Sequence, residues 1–276
     1  ELLLREFTDN GSSEGNLKLA MQKLDYLAGL GVNAIELMPV QEFDGNSSWG
    51  YNPNSFFALD KAYGTREDYK RFVDECHKRG MAVIFDVVYN HASGSCPLAK
   101  LYWNGNNTAE NNPWFNVDAP HPHGVFHDFN HENAQVREYV KESLSYLINE
   151  YKVDGFRFDF TKGFTQGTAS NRDDTRIAIL SDYTAHVKSV DPNAVVILEH
   201  FADSENADLA KAGAKVWKKC NSQYRNVMLG GSDDFSAIWS GKGDLFGAYV
   251  GYMESHDEER ICYGATSEDA ASVSWG

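Results

Sequence analysis

Short apolar runs alternate along this chain with stretches in which apolar side chains recur every third or fourth position. That alternation predicts strands and helices in turn, and so a parallel sheet wrapped by helices. Leu2–Phe7 reads as a first strand. Leu17–Leu30 follows as a helix, with Leu17, Met21, Leu24, Leu27 and Leu30 at helical spacing and Gly31 as its stop. Asn33–Val40 is a second strand. Arg66–Arg79 is a helix with Tyr69, Phe72, Val73 and Cys76 on one face and Gly80 behind it. Met81–Val88, a third strand, is apolar enough to be buried on both faces.

Between His91 and Asn133 the periodicity vanishes into Asn, Pro, His and Gly, with Tyr102, Trp103, Trp114 and Phe115 interspersed. Irregular connections of this length are usually functional, and residues 92–132 read as a subdomain inserted after strand three. Asn133–Tyr151 then predicts a helix, Gly155–Phe160 a fourth strand, Arg172–Val190 a helix and Ala194–Glu199 a fifth strand. A weaker strand at Lys215–Lys219, a helix near Gln223–Leu229 and a strand at Ala248–Met253 follow. The predicted fold is α/β: a (β/α)8 TIM barrel of which strands 1–7 are present. The residues after Asp257 are too few for an eighth strand with its helix. Residues 1–276 are therefore expected to be a barrel lacking strand 8 and a C-terminal domain. The first residues, Glu1-Leu-Leu-Leu-Arg-Glu-Phe-Thr8, carry no basic region ahead of an apolar one. They read as a strand already under way in a longer chain and not as a signal peptide.

Length and charge narrow the classes. The 276 residues suit one β/α barrel, which takes about 250. A net charge of −15 argues against nucleic acid or an anionic membrane as partner and fits a neutral ligand. Aromatic residues make up 13% of the chain; their faces suit sugar rings, although core packing accounts for many. Cys76, Cys96, Cys220 and Cys262 are scattered without metal-type pairing and are expected to be free thiols.

Four segments carry the candidate chemistry: Asp86-Val-Val-Tyr-Asn-His91, Gly155-Phe-Arg-Phe-Asp159, Ile197-Leu-Glu199 and Glu254-Ser-His-Asp257. Three deliver an acid where an apolar run ends, and the first sets a His beyond a similar run. In a β/α barrel the loops after the strands build the pocket, so the pattern predicts a catalytic pocket. Side chains alternate along Gly155–Phe160, which puts Arg157 and Asp159 on one face and leaves Phe156, Phe158 and Phe160 to pack outward. A guanidinium beside a carboxylate favours the ionised form that a nucleophile needs; a buried structural ion pair is the plainer alternative. Glu199 ends the apolar run Val195–Leu198, where partial desolvation raises a carboxyl pKa and suits a general acid. Asp257 follows His256 at another strand end. Each acid alone reads equally as a cap or surface charge, but three after three strands, with Arg157 and His91 converging, favour function. A nucleophilic carboxylate plus a carboxylic acid is the equipment of retaining glycoside hydrolysis. The third acid is then free to hold hydroxyls and steady oxocarbenium charge.

In order, and over essentially the whole chain, these segments resemble the four signature regions of the α-amylase superfamily, glycoside hydrolase family 13. The resemblance implies Asp159 as nucleophile, Glu199 as acid/base and Asp257 as transition-state stabiliser. It implies that Arg157 orients Asp159 and pairs with Asp86, while His91 and His256 hold sugar hydroxyls. Trp49-Gly-Tyr-Asn-Pro53 is similar to the segment whose tyrosine stacks on that sugar, which assigns Tyr51 that role with Trp49 beside it. Lys162 matches a substrate-contacting lysine. No cofactor is implied for the chemistry. A structural calcium is the implied metal: Asn90 matches one of its ligands, and Asp128, in His127-Asp-Phe-Asn130, lies in a segment resembling another. Gly163 stands where many amylases have a calcium-site His. The resemblance implies a retaining glycoside hydrolase acting on α-glucans of the starch and glycogen type, with endo α-1,4 cleavage favoured. Trp49–Pro53 together with Asp86–His91 has the flavour of pullulanases, isoamylases and branching enzymes, which makes α-1,6 debranching or glucan-branching transfer the alternatives. A carbohydrate-binding barrel without catalysis is the alternative of another class, and the intact acid trio argues against it. A barrel isomerase would want a phosphate-binding glycine turn, for which Gly230-Gly231 is a weak candidate. The expected partners are the glucan and flanking domains of a longer parent chain.

Overall fold

The computed structural model describes residues 1–11, 14–238 and 247–263. Its strands are β1 (Ala34–Leu37), β2 (Gln41–Phe43), β3 (Pro53–Leu59), β4 (Ala82–Val87), β5 (His91–Ala92), β6 (His127–Asp128), β7 (Gly155–Phe158), β8 (Val195–Leu198), β9 (Lys215–Lys219) and β10 (Tyr249–Tyr252). Six of them form one sheet in the order β1-β4-β7-β8-β9-β10, and every pair is parallel. Helices Arg66–His77, Ala134–Tyr151, Asp174–Val190, Asn206–Lys211 and Asn221–Met228 fill the five crossovers. Sequential parallel strands with a helix in each crossover are the arrangement of a (β/α)8 barrel. The expected want of an eighth strand concerns residues 264–276, which lie outside the described residues. No helix among the described residues is long and apolar enough to cross a membrane.

Alternation along the strands sorts the side chains onto two faces. Val83, Phe85, Val87, Phe156, Phe158, Val196, Leu198 and Val216 join the large core with the surrounding helices. Tyr183, from helix Asp174–Val190, stacks on Phe158 at 6.5 Å. The other face carries a small apolar cluster, Ile84, Ile197 and Trp217, and the buried charges Asp86 and Arg157. The phenylalanines therefore pack outward as the period-two pattern requires, and the arginine is left inside. Gly155 opens β7 because a Cβ there would lie 2.1 Å from the Val195 carbonyl of β8.

Two predicted elements differ. Of the expected strand Leu2–Phe7, only Leu2 pairs, in a parallel bridge to Leu37, and Leu4–Phe7 turns into a helix. Leu, Arg and Glu form helices well and the segment has no β-branched residue; the turn also drives Leu4 into the core. The helix expected over Leu17–Leu30 is two helices, Leu17–Met21 and Leu24–Gly29. Between them Gln22 and Lys23 donate to Leu19 and Ala20, 3.1 and 2.9 Å, bonds that tighten the turn to three residues. The antiparallel hairpin of β2 and β3 was not anticipated from the pattern.

After β4 the chain departs at β5 and returns at β6, and these two form a short antiparallel ladder pairing His91 with Asp128. His131 fastens the returning segment. Its Nε2 lies 2.7 Å from the Tyr89 carbonyl, its Nδ1 lies 2.8 Å from the Tyr183 hydroxyl, and its ring stacks on Phe164 at 3.8 Å.

Candidate active site

The parallel register sets Asp86 level with Arg157, and Arg157 level with Ile197, on adjacent strands. Arg157 is fully buried and is surrounded by acids. Its Nη1 donates to Asp86 Oδ1 and Oδ2 and to Asp159 Oδ1, each at 3.0 Å. Its Nη2 lies 2.8 Å from Glu199 Oε1, an ion pair off the hydrogen-bond axis, since Nη2 and Nε have no hydrogen-bond partner among the described residues. The Trp217 ring covers the guanidinium at 4.3 Å. One cation thus holds three carboxyl groups from three strands.

Burial works to release the guanidinium proton, but Asp86, Glu199 and Asp159 outweigh it and hold Arg157 firmly charged. One positive charge cannot balance three carboxylates in a dry site, and the acids separate accordingly. Burial pushes Asp86 well above the usual carboxylate range, against the pull of Arg157. Burial, aided by Asp159 and opposed by Arg157, raises Glu199 to about 7. A carboxyl that titrates there gives up a proton and takes it back near neutral pH. Its Oε2 accepts the Phe160 N–H at 2.7 Å. Asp159 stands just past β7, its N–H donating to the Val87 carbonyl at 3.0 Å. The strand predicted to reach Phe160 ends at Phe158, because Phe160 adopts φ +42° and turns the chain into the short helical turn Thr161–Gly163.

The rim completes the set. The Tyr51 hydroxyl donates to Asp86 Oδ2 at 2.7 Å, and burial pushes its phenol up, so it keeps that proton. Tyr51 stacks on His256 at 4.8 Å, and its carbonyl lies 2.8 Å from His91 Nε2. Trp49 stands edge-on to His256 at 6.0 Å. Burial opposes the protonated form of His256, but Glu1 outweighs it through a 2.6 Å contact and raises the ring's pKa. Asp257 Oδ1 lies 3.3 Å from His256 Nε2, and the Asp257 side chain is 56% exposed. Lys162 is half-buried on the turn beyond Asp159, where its carbonyl accepts from Arg176 at 2.8 Å. A cavity of about 530 Å³ opens beside His256, lined by Met38, Trp49, Met253 and Glu254 among others; Asp159 and Glu199 are not in its wall.

Asn90 and Asp128 stand apart from the acids. Asn90 Oδ1 and Asp128 Oδ1 are buried without a hydrogen-bond partner among the described residues. Gly163 closes over Asn90, since a Cβ there would meet Asn90 Oδ1 at 2.0 Å. His121 Nε2 lies 3.3 Å from Asp128 Oδ1. Orphaned carboxamide and carboxylate oxygens suit a hard cation, which takes 6–8 oxygens in all.

Three participants were not singled out in the sequence. Trp217 caps Arg157. Glu36, on β1, has a buried orphan oxygen, Oε1, and burial raises its pKa against the pull of Arg157. Its signal was present, an acid between Ile35 and Leu37 just as Arg157 lies between phenylalanines. The third is a buried charge cluster at Arg176, His200 and Glu205.

Comparison with known proteins agrees with this geometry. Residues 2–125 match the family described as alpha amylase, catalytic domain. The malto-oligosyltrehalose trehalohydrolase of Saccharolobus solfataricus is 39% identical over 160 residues, which are 58% of this chain and 26% of that protein. Isoamylase SU1 of Zea mays is 37% identical over 198 residues, 60% of this chain and 24% of that protein. The chain thus spans about a quarter of the length of these curated relatives. Among solved structures, Amy13B of Eubacterium rectale superposes with a TM-score of 0.68 at 26% identity, covering 87% of this chain and 52% of that one.

Proposed function

We propose that the chain, whose residues 2–125 match the alpha amylase catalytic domain, is a member of the α-amylase superfamily and cleaves α-glucosidic bonds with retention of configuration. The observation that carries the reading is the single buried guanidinium shared by Asp86, Asp159 and Glu199, with Glu199 raised to about 7. Asp159, hydrogen-bonded to Arg157, attacks C1 of the sugar. Glu199 gives its proton to the departing glycosidic oxygen, leaving a glucosyl ester on Asp159. Glu199, now a carboxylate, takes a proton from water; that water attacks C1 and frees Asp159, and the second inversion restores the configuration. Asp257 and His256 engage sugar hydroxyls at the open rim and Tyr51 offers its ring face, while His91, expected to hold a hydroxyl as well, is buried with its Nε2 on the Tyr51 carbonyl. Asp86 fixes Arg157 from beneath.

The favoured substrate is an α-1,4-linked glucan cut internally, supported by the match of residues 2–125 to the alpha amylase catalytic domain. Debranching at α-1,6 links is the second reading, favoured by the similarity to an isoamylase. A structural calcium at Asn90 and Asp128 belongs to the same proposal, supported by their orphaned oxygens. It would tie the inserted segment to the barrel and takes no part in bond cleavage.

Amylose, pullulan and a branched glucan, followed by reducing ends and branch content, separate the linkages. Asp159→Asn and Glu199→Gln are each expected to lower kcat by at least about 10³-fold. Unchanged turnover in either variant would remove that residue from its role.

A further inference from the structure

Phe160, directly after Asp159, has φ +42°, and Phe201, two residues after Glu199, has φ +48°. A bulky side chain persists in this left-handed region only where its surroundings over-determine it. The Phe201 ring is 45% exposed, so its own packing does not hold that turn.

What lies beneath both turns is a closed chain of polar contacts. The Glu199 carbonyl accepts the Thr161 N–H at 2.9 Å and sits 3.0 Å from the Thr161 hydroxyl. That hydroxyl is 3.0 Å from His200 Nδ1, and His200 Nε2 is 2.8 Å from Glu205 Oε2. Arg176 grips Glu205, its Nε donating to Oε2 at 3.0 Å and its Nη2 meeting Oε1. It also donates through Nη1 to the Lys162 carbonyl at 2.8 Å and through Nη2 to the Asn171 carbonyl at 3.1 Å. The Asp173 N–H donates to Glu205 Oε1 at 2.9 Å. Arg176, His200, Glu205 and Thr161 are all 0% exposed. Burial alone would raise Glu205, yet its bonds from His200, Arg176 and the Asp173 amide hold it down at about 2. As a carboxylate it accepts a hydrogen bond from the Nε2–H of His200, which leaves Nδ1 as the acceptor for the Thr161 hydroxyl, while the Thr161 N–H holds the Glu199 carbonyl.

We propose that Arg176, Glu205 and His200 are positioning residues for Glu199, acting through Thr161 to lock the turn after β8 against the turn after β7. Arg176 holds the carbonyl of Lys162 on one turn, and Glu205 holds the ring of His200 on the other. The Phe160 N–H that contacts Glu199 Oε2 belongs to the first turn, so a slip between the turns displaces the acid's own hydrogen bond. A purely structural ion pair has no need of the link from His200 through the hydroxyl of Thr161, whose own N–H holds the carbonyl of the acid. The inference rests on reading Glu199 as the acid/base.

The test is steady-state kinetics of the full chain on soluble α-glucan across pH, beside its melting temperature. Thr161→Val removes the hydroxyl link at constant volume and leaves no buried charge unpaired. It is expected to lower kcat about tenfold, a typical price for misplaced acid catalysis, with KM within about twofold. Thr161→Ser recovers most of that loss. Glu205→Gln is expected to lower kcat further. In both impaired variants water gains access to Glu199, which Arg157 and Asp159 face from β7, Tyr252 from β10 and Asp257 from the loop after it. With less desolvation its pKa falls, and the basic limb of kcat moves to lower pH. If Thr161→Val and any folded Glu205→Gln change only the melting temperature, with kcat and its pH limb unmoved, the positioning role is refuted. If Glu205→Gln does not fold, Thr161→Val decides alone. A wild-type chain that cleaves no α-glucan, or keeps turnover as Glu199→Gln, fails at the acid/base reading itself and takes the inference with it.

Discussion

Glu199 shows how a single residue acquires chemistry from its neighbours. Its own residue type titrates near 4.3; burial carries it to about 7, with Asp159 adding to the rise and Arg157 limiting it. In the proposed role as general acid, the proton must be present for the leaving oxygen to accept it, so kcat is expected to fall as pH rises through about 7. A pH–rate profile that stays flat between about 6 and 8 would contradict that assignment. The residues of this site were largely legible in the sequence. Arg157 and Asp159 share a face because a strand has period two, and Glu199 ends an apolar run. Trp217 and Glu205 were not legible as partners: an aromatic in a strand or an acid at a helix start has the same pattern whether or not it meets a guanidinium from another element.

At the scale of elements, β4, β7 and β8 were readable because fully buried parallel strands are continuous apolar runs. Leu2–Phe7 was misread because a short apolar run has no periodicity of its own, and the residues after Leu2 favour a helix. His131 marks the join between the inserted segment and the barrel. Burial lowers its pKa to about 3, outweighing the opposing bond to the Tyr89 carbonyl, whereas in an unfolded chain His titrates near 6.5. Its contribution to stability is therefore complete above about pH 6.5. As pH falls toward 3 the unfolded chain takes up a proton that the folded one refuses, and stability drops by up to about 1.4 kcal/mol per pH unit. Urea unfolding of wild type and His131→Gln at about pH 7.5 and 5 checks this. The stability gap between them should shrink by about 1–2 kcal/mol at the lower pH, and a constant gap would show that His131 is not the group responsible.

For the whole molecule, the inserted segment meets the barrel at β5 and β6, at His131, and at the orphaned oxygens of Asn90 and Asp128. If calcium joins them, EDTA should lower the melting temperature by about 5 °C, as for a ligand near a hundredfold above its Kd. Excess calcium should restore it, and Asp128→Ala should be insensitive to both. A melting temperature indifferent to EDTA in the wild-type chain would dispose of the calcium. By itself the sequence determined the strand–helix alternation, the barrel class and the acids at strand ends, because burial on two faces and the period of a strand are local properties written into residue order. Only the tertiary structure decided which charges share Arg157, that Glu199 is the acid left near neutrality, and that Arg176, His200 and Glu205 lie beneath it. Those outcomes depend on the register between strands distant in the chain and on how much water each group loses, and neither is a property of any one segment.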